Sequence, residues 1–199
     1  TLTRADLCRA RTPLAFAPET PLSDALAVMK GQRTSAVVIV VDDRPVGIFT
    51  ERDALALIVR EAYDPDAPLG RLMTPNPITV PPELSFAEGY ARMAAEGIRH
   101  LVVVDAADQL LGVLSETDFA QALGTEELLI PRAVGDLMTR DPVSLPPQAT
   151  LAEALRLMNE RRISSVLVVA AGRVLGIITE RDAVRLAGAT LDLGLTPVR

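Results

Sequence analysis

Three short segments hold the residue types best suited to chemistry, and they share one pattern. They read Gly47-Ile48-Phe49-Thr50-Glu51-Arg52-Asp53, Gly112-Val113-Leu114-Ser115-Glu116-Thr117-Asp118 and Gly176-Ile177-Ile178-Thr179-Glu180-Arg181-Asp182. Each sets a hydroxyl three residues before a carboxylate, where an apolar strand runs into a helix. Free backbone N–H groups and the positive helix end make such a junction attractive to anions, and the hydroxyls of Thr50, Ser115 and Thr179 can donate to a phosphate oxygen. The carboxylates of Asp53, Asp118 and Asp182 are acceptor-only when ionised, so they repel phosphate and suit a pair of hydroxyl donors. Arg52 and Arg181 can add charge-assisted bonds to an anion, whereas Thr117 takes that place in the middle copy. A purely structural reading competes. The same hydroxyl and carboxylate can cap their helix, stabilising it by about 1 kcal/mol. Arg52 and Arg181 can likewise pair at the surface with the neighbouring Glu51 and Glu180.

Other chemistries find little footing. The single His (His100) and single Cys (Cys8) are far apart in sequence, and no base or second thiol lies near Cys8, which reads as inert. There is no Cys-x-x-Cys, no His-Glu-x-x-His and no cluster of metal ligands. The one lysine lies in Met29-Lys30-Gly31, not in a phosphate-binding loop, and no Gly-x-Gly-x-x-Gly follows a strand. No spacing singles out an acid–base pair of carboxylates. Catalysis, a metal site and an obligatory cofactor are therefore not expected.

Composition bounds the class of molecule. Of 199 residues, 49% are hydrophobic, 3% aromatic and 23% charged, which describes a folded chain with an aliphatic core and excludes disorder. The net charge of −6 argues against a general nucleic-acid-binding surface. Apolar runs such as Ala36 to Val41 are far too short to span a membrane. One cysteine and the lack of a signal-like start predict a cytoplasmic protein. The chain opens on Thr1 and reads as a piece of a longer protein, and its near-exclusive use of arginine over lysine suggests a GC-rich bacterial source.

The elements that must position these residues repeat every 64 or 65 positions, as the motifs do. Met29, Met93 and Met158 recur with the same period, and Leu72-Met73-Thr74 matches Leu137-Met138-Thr139. Each copy predicts β-α-β-β-α. A short extended piece and a Pro-rich turn lead to a helix with apolar residues at i, i+3, i+4 and i+7: Leu22, Ala25, Leu26 and Met29, or Leu151, Ala154, Leu155 and Met158. The middle copy puts Phe86, Gly89, Tyr90 and Met93 on that face, with Gly89 as a weak point. Ser85 with Glu88 and Thr150 with Glu153 have capping-box spacing. The strands that follow are continuous apolar runs, which implies burial on both faces. The boundaries predicted are 1–66, 67–130 and 131–190 for the three repeats, with 191–199 a linker towards a fourth copy. The fold class is α+β. Repeats one and two can cover each other's sheets; the third is left unpaired within the chain and must expose an apolar face or find another partner.

The motifs Leu-Met-Thr, Ile98-Arg99-His100-Leu101-Val102-Val103-Val104-Asp105 and Gly-apolar-x-Thr/Ser-x-x-Asp resemble the CBS (cystathionine-β-synthase-type) domain, over nearly the whole chain. That resemblance implies pairs of repeats forming Bateman modules that bind AMP, ADP, ATP or S-adenosylmethionine in the cleft between them. It implies ribose contacts from Asp53, Asp118 and Asp182. It assigns phosphate contacts to Thr50, Ser115, Thr179, Arg52, Arg181, Arg99 and His100. Ile78, Thr79, Val143 and Ser144 would form the adenine side. Mg2+ would enter only with ATP. The implied setting is signal transduction, with an effector domain of diguanylate cyclase or kinase type in the parent chain and homodimerisation through the repeats. A dimerisation module that binds no ligand is the alternative.

Overall fold

The computed structural model describes residues 14–123 and 138–187. Cys8, Leu137 and the predicted linker 191–199 lie outside the described residues. Two compact units share the chain. One contains the described residues of Thr1–Thr20, Ala36–Phe49 and Pro68–Arg132; the other contains those of Pro21–Ser35, Thr50–Ala67 and Ala133–Arg199. The first repeat is thereby divided, its strands going to one unit and its two main helices to the other.

The first unit holds two sheets. In one, β1 (Ala15–Phe16) runs parallel to β2 (Ala36–Val41), followed by β3 (Arg44–Thr50, of which Thr50 belongs to the other unit) and β4 (Thr74–Pro75). β4 pairs antiparallel with β3 through Gly47↔Pro75 and Ile48↔Thr74. It comes from the start of the second repeat, just after the one-turn helix α3 (Leu69–Leu72). A Cβ on Gly47 would run into the side chain of Met73, which gives the motif glycine its reason: the strand must let the next repeat's methionine lie against its backbone.

The second sheet has the order β5 (Thr79–Val80), β6 (His100–Val104), β7 (Leu110–Ser115), with β6 parallel to β5 and antiparallel to β7. Helices α4 (Phe86–Glu96) and α5 (Glu116–Leu123) belong to the same repeat. Alternation along β6 explains its continuous apolar run. Leu101 and Val103 join Val80, Met93 and Phe119 in a core on the helix side. Val102 and Val104 join Val38 of β2, with Ile48 and Val113 packed against them. The sheets of repeats one and two therefore cover each other, as the two-sided apolar strands predicted.

Helix α4 departs from its predicted face. Gly89 and Met93 are buried, but Tyr90 is 54% exposed. Its ring tilts at 60° to Phe119 with centroids 6.1 Å apart. Gly89 is not a weak point, because a Cβ there would lie 2.9 Å from Phe119 Cζ; the glycine lets α4 settle onto that ring.

In the second unit the third repeat forms the sheet β10–β9–β8, from β8 (Ser144–Leu145), β9 (Ser165–Ala170) and β10 (Arg173–Thr179), with helices α6 (Leu151–Arg161) and α7 (Glu180–Leu186). Helices α1 (Leu22–Gln32) and α2 (Glu51–Val59) of the first repeat belong here too. Leu55 of α2 is fully buried in one core with Leu151, Leu155, Met158, Val166 and Ala183. The third repeat thus gains a helical neighbour that the sequence did not announce. Its sheet remains without a covering sheet among the described residues: Val174, Leu175 and Ile177 are 63%, 62% and 56% exposed. Both predicted capping boxes form, Ser85 with Glu88 on α4 and Thr150 with Glu153 on α6.

Candidate functional site

The three hydroxyl–carboxylate pairs take one geometry. In copies one and three the strand ends in extended backbone at its Thr, and in all three the following helix starts at the Glu. Thr50 N and Oγ1 both donate to Asp53 Oδ2, at 2.8 and 2.7 Å. Ser115 N and Oγ donate to Asp118 Oδ2 at 2.8 and 2.6 Å. Thr179 N and Oγ1 donate to Asp182 Oδ2 at 2.9 and 2.7 Å. The amides of Asp53 and Asp118 return a bond to the hydroxyl at 3.4 Å. The capping role is real in every copy, and the bonds to the strand-end residue use Oδ2 alone. A carboxylate has a second oxygen with its own lone pairs, so capping and an external hydroxyl donor are compatible. In Asp182 that second oxygen also lies 3.5 Å from Arg185 Nη1.

The helix starts are less open to anions than the sequence implied. The first helical amide is already engaged in each copy: Glu51 N donates to Ser35 O, Glu116 N to Arg99 O and Glu180 N to Ser164 O, at 3.0–3.1 Å. The hydroxyl protons point at the carboxylates. A phosphate here would have to draw a hydroxyl away from its cap.

Arg52 and Arg181 do not pair with their sequence neighbours. Arg52 Nε donates to Glu180 Oε1 at 3.1 Å, and Arg181 Nε to Glu51 Oε1 at 3.2 Å, so the bonds cross between α2 and α7. Arg52 Nη2 also donates to the carbonyl of Arg162 at 3.4 Å. Glu180 is 2% exposed and Glu51 9%. Sequence reasoning missed these buried carboxylates. The signal was there: Glu-Arg recurs in copies one and three and becomes Glu-Thr in copy two.

Register brings other candidates together. Thr79 pairs with Val102, Val102 with Val113, and His100 with Ser115. Directly paired residues, and residues two apart on one strand, share a face. Thr79, His100 and Ser115 therefore lie on the face that carries Val102 and Val113, with Asp118 one turn into α5. The third repeat repeats the arrangement with Ser144↔Leu167, Ile177↔Leu167 and Thr179↔Ser165. Arg99, next to His100, is half-buried. Ile78 and Val143 are placed otherwise than predicted. Each packs against a helix-side core, so they lie on the opposite face from Thr79 and Ser144. The reason is period two: adjacent strand residues cannot share a wall.

A cavity of about 410 Å³ adjoins Thr79 but is lined by Glu83, Asp105 and Asp108, a setting that repels phosphate. Asp105 Oδ1 is taken by the amides of Ala107 and Gln109, at 2.8 Å each. Among the described residues no group of three or more His, Cys, Asp or Glu could hold a metal ion. No helix among them is long and apolar enough to cross a membrane.

A CBS domain profile matches residues 2–60, 69–125 and 134–188, and the chain belongs to the CBS domain family. It is 28% identical over 182 residues to the uncharacterised protein MJ1404 of Methanocaldococcus jannaschii, covering 84% of this chain and 43% of that protein. It thus spans less than half the length of that relative. The crystal structure of MJ1225 from the same organism, proposed as an archaeal homologue of γ-AMPK, shares the fold with a TM-score of 0.82 at 22% identity, over 92% of this chain and 72% of that one. A CBS domain protein of Pyrobaculum aerophilum, PAE2072, was solved in complex with AMP. It matches 59% of this chain and 89% of its own, at 27% identity and a TM-score of 0.54. These three relatives are archaeal, so they lend no weight to a bacterial origin.

Proposed function

We propose that this chain is a regulatory segment that senses adenosine nucleotides, namely AMP, ADP, ATP (with Mg2+) or S-adenosylmethionine. Asp118 and Asp182, and Asp53 in the first copy, accept the ribose hydroxyls through the oxygen the cap does not use. Ser115, Thr179 and Thr50 meet phosphate with Arg99, His100, Arg52 and Arg181. Thr79 and Ser144 face the base, and Ile78 and Val143 support them from the core side. The observation that carries this reading is the shared face of Thr79, His100 and Ser115 beside Asp118. The AMP complex of PAE2072 supports it. Bound nucleotide shifts the balance between two arrangements of the repeats, and a domain elsewhere in a cytoplasmic parent protein, of diguanylate cyclase or kinase type, reads out the shift.

Thermal unfolding with each nucleotide tests this. A ligand at a hundred times its dissociation constant adds about 2.7 kcal/mol. Asp118→Ala or Asp182→Ala should weaken that effect. No shift with any of the four at millimolar concentration would reject the reading.

A second reading, a dimerisation module that binds no ligand, is favoured by the apolar outer face of β10, where Val174, Leu175 and Ile177 stand exposed. Dimerisation and sensing are compatible, and the nucleotide titration decides whether dimerisation stands alone.

A further inference from the structure

We infer that the second unit carries an oxyanion site, between the end of α1 and helix α7, that takes phosphoryl groups. A cavity of about 230 Å³ there is lined by Lys30 and Arg33 from the end of α1, Glu51 from the start of α2, and Arg181 and Arg185 from α7, beside Met29 and Val184. Four cations face one carboxylate in a chain whose net charge is −6. Glu51 is engaged by Arg181, and Arg185 lies 3.5 Å from Asp182. Lys30 and Arg33 have no carboxylate partner among the described residues.

Ordinary helix electrostatics does not account for this convergence. A cation near a helix C-terminus is stabilising by itself, and Lys30 and Arg185 each occupy a last turn. Yet α1 is already closed by backbone: Arg33 is left-handed at φ 54°, and its amide and that of Thr34 both donate to Met29 O. The repeats supply a sharper comparison. The ion pairs Arg52–Glu180 and Arg181–Glu51 relate repeats one and three almost symmetrically. In sequence, the positions that answer to Lys30, Arg33 and Arg185 in the opposite copy are Asn159, Arg162 and Ala56. On that side Arg52 turns to the carbonyl of Arg162. Among the cavity-lining positions two cations, Lys30 and Arg185, have no cationic counterpart on the opposite side, although Arg161 at the end of α6 answers to Gln32. Guanidinium groups with an ammonium suit a multiply charged phosphoryl oxyanion, whether free or at the end of a nucleotide.

Calorimetric titration of the whole chain with pyrophosphate, ADP and adenosine tests this, using Lys30→Asn and Lys30→Asn/Arg185→Ala, which install the residues of the opposite side. Pyrophosphate and ADP should bind the unaltered chain, more weakly as salt rises. The double variant should lose about tenfold or more in pyrophosphate affinity and the single, at an exposed position, about threefold, with unfolding temperatures nearly unchanged. Pyrophosphate binding without any response to adenosine compounds at the Asp sites leaves this site standing while the sensing reading fails. No binding of pyrophosphate at millimolar concentration, ADP binding without pyrophosphate binding, or equal affinity in both variants overturns it.

Discussion

Arg52 Nε lies 3.1 Å from Oε1 of Glu180, tying the first turn of α2 to the first turn of α7, and Arg181 returns the bond to Glu51 at 3.2 Å. Two repeats that are not adjacent in sequence are thereby joined by reciprocal bonds between the same two residue types. The partners differ in burial: the Glu180 side chain is 3% exposed and that of Glu51 11%, against 36% and 49% for the arginines. Glu180 sits deeper, so removing its donor matters more.

Arg52→Ala should therefore destabilise the protein by about 1–3 kcal/mol, because a nearly buried carboxylate loses a charge-assisted partner. Arg181→Ala should fall nearer the range of exposed pairs, about 0–1 kcal/mol. Urea denaturation resolves the order, and changing Glu180 to Gln alongside Arg52→Ala should recover part of the loss. A larger effect from Arg181→Ala would show that burial does not govern these pairs.

The close approach at Gly47 has a counterpart that isolates its cause. A Cβ at Gly47 collides with two atoms of Met73 and crowds a third, whereas one at Gly176, the same motif position in the third repeat, meets nothing within 4 Å. Gly47→Ala should destabilise by about 1–3 kcal/mol through overpacking. Gly176→Ala should be near neutral. Met73→Ala in the Gly47→Ala background should relieve part of the strain. Equal responses at the two glycines would remove the packing argument and leave only strand propensity.

Capping and ligand binding at the Ser/Thr-x-x-Asp junctions are separable because they fall on different atoms. Ser115→Ala removes the hydroxyl that both donates to Asp118 and accepts from its amide, a loss of about 1 kcal/mol. Asp118→Asn keeps an acceptor for the Ser115 amide but removes the charge offered to a ribose. Its stability should fall less than that of Asp118→Ala, while nucleotide affinity falls as far. Should Asp118→Asn bind AMP like the unaltered chain, the carboxylate serves the helix alone.

Much of this was legible in the residues, and the gaps have physical causes. Unbroken apolar strands announced two-sided burial, and Val102 and Val104 against Leu101 and Val103 show both faces at work. The capping pairs were legible because a cap is local, set by three residues of spacing. The partnership of repeats one and three was not, because it depends on which helix layers meet; the loss of Arg at Thr117 was its one trace. Tyr90 has the spacing of a core residue, but only packing from another element could bury it, as happens for its counterparts Leu26 and Leu155. The openness of the helix starts was over-read for a related reason: spacing shows where amides and hydroxyls lie, not that Ser35, Arg99 and Ser164 carbonyls already hold the first of them.

Burial raises the phenol of Tyr63 above its ordinary value of 10.0. The folded state then holds that proton more tightly than the unfolded state. Its contribution to stability is complete below about pH 10 and is lost as pH rises through the folded value. Tyr63→Phe should flatten the decline of the urea midpoint above pH 10 relative to the unaltered chain. An unchanged alkaline slope would mean that the ring's surroundings open before it titrates.

The outer face of β10 makes the last prediction. In the first unit, Ile48 and Val113 pack against the cluster where two sheets meet; Ile177 occupies the matching motif position and is 56% exposed, beside Val174 at 63%. Covering such side chains gains about 25 cal/mol per Å² of apolar surface, and we expect two copies of this face to associate about a two-fold axis. Sedimentation should show concentration-dependent dimers, and Ile177→Lys should return the chain to monomer with little change in thermal stability, since the residue is exposed within its own unit. A variant that still dimerises, or an unaltered chain that stays monomeric at high concentration, would reject this face as a dimer interface.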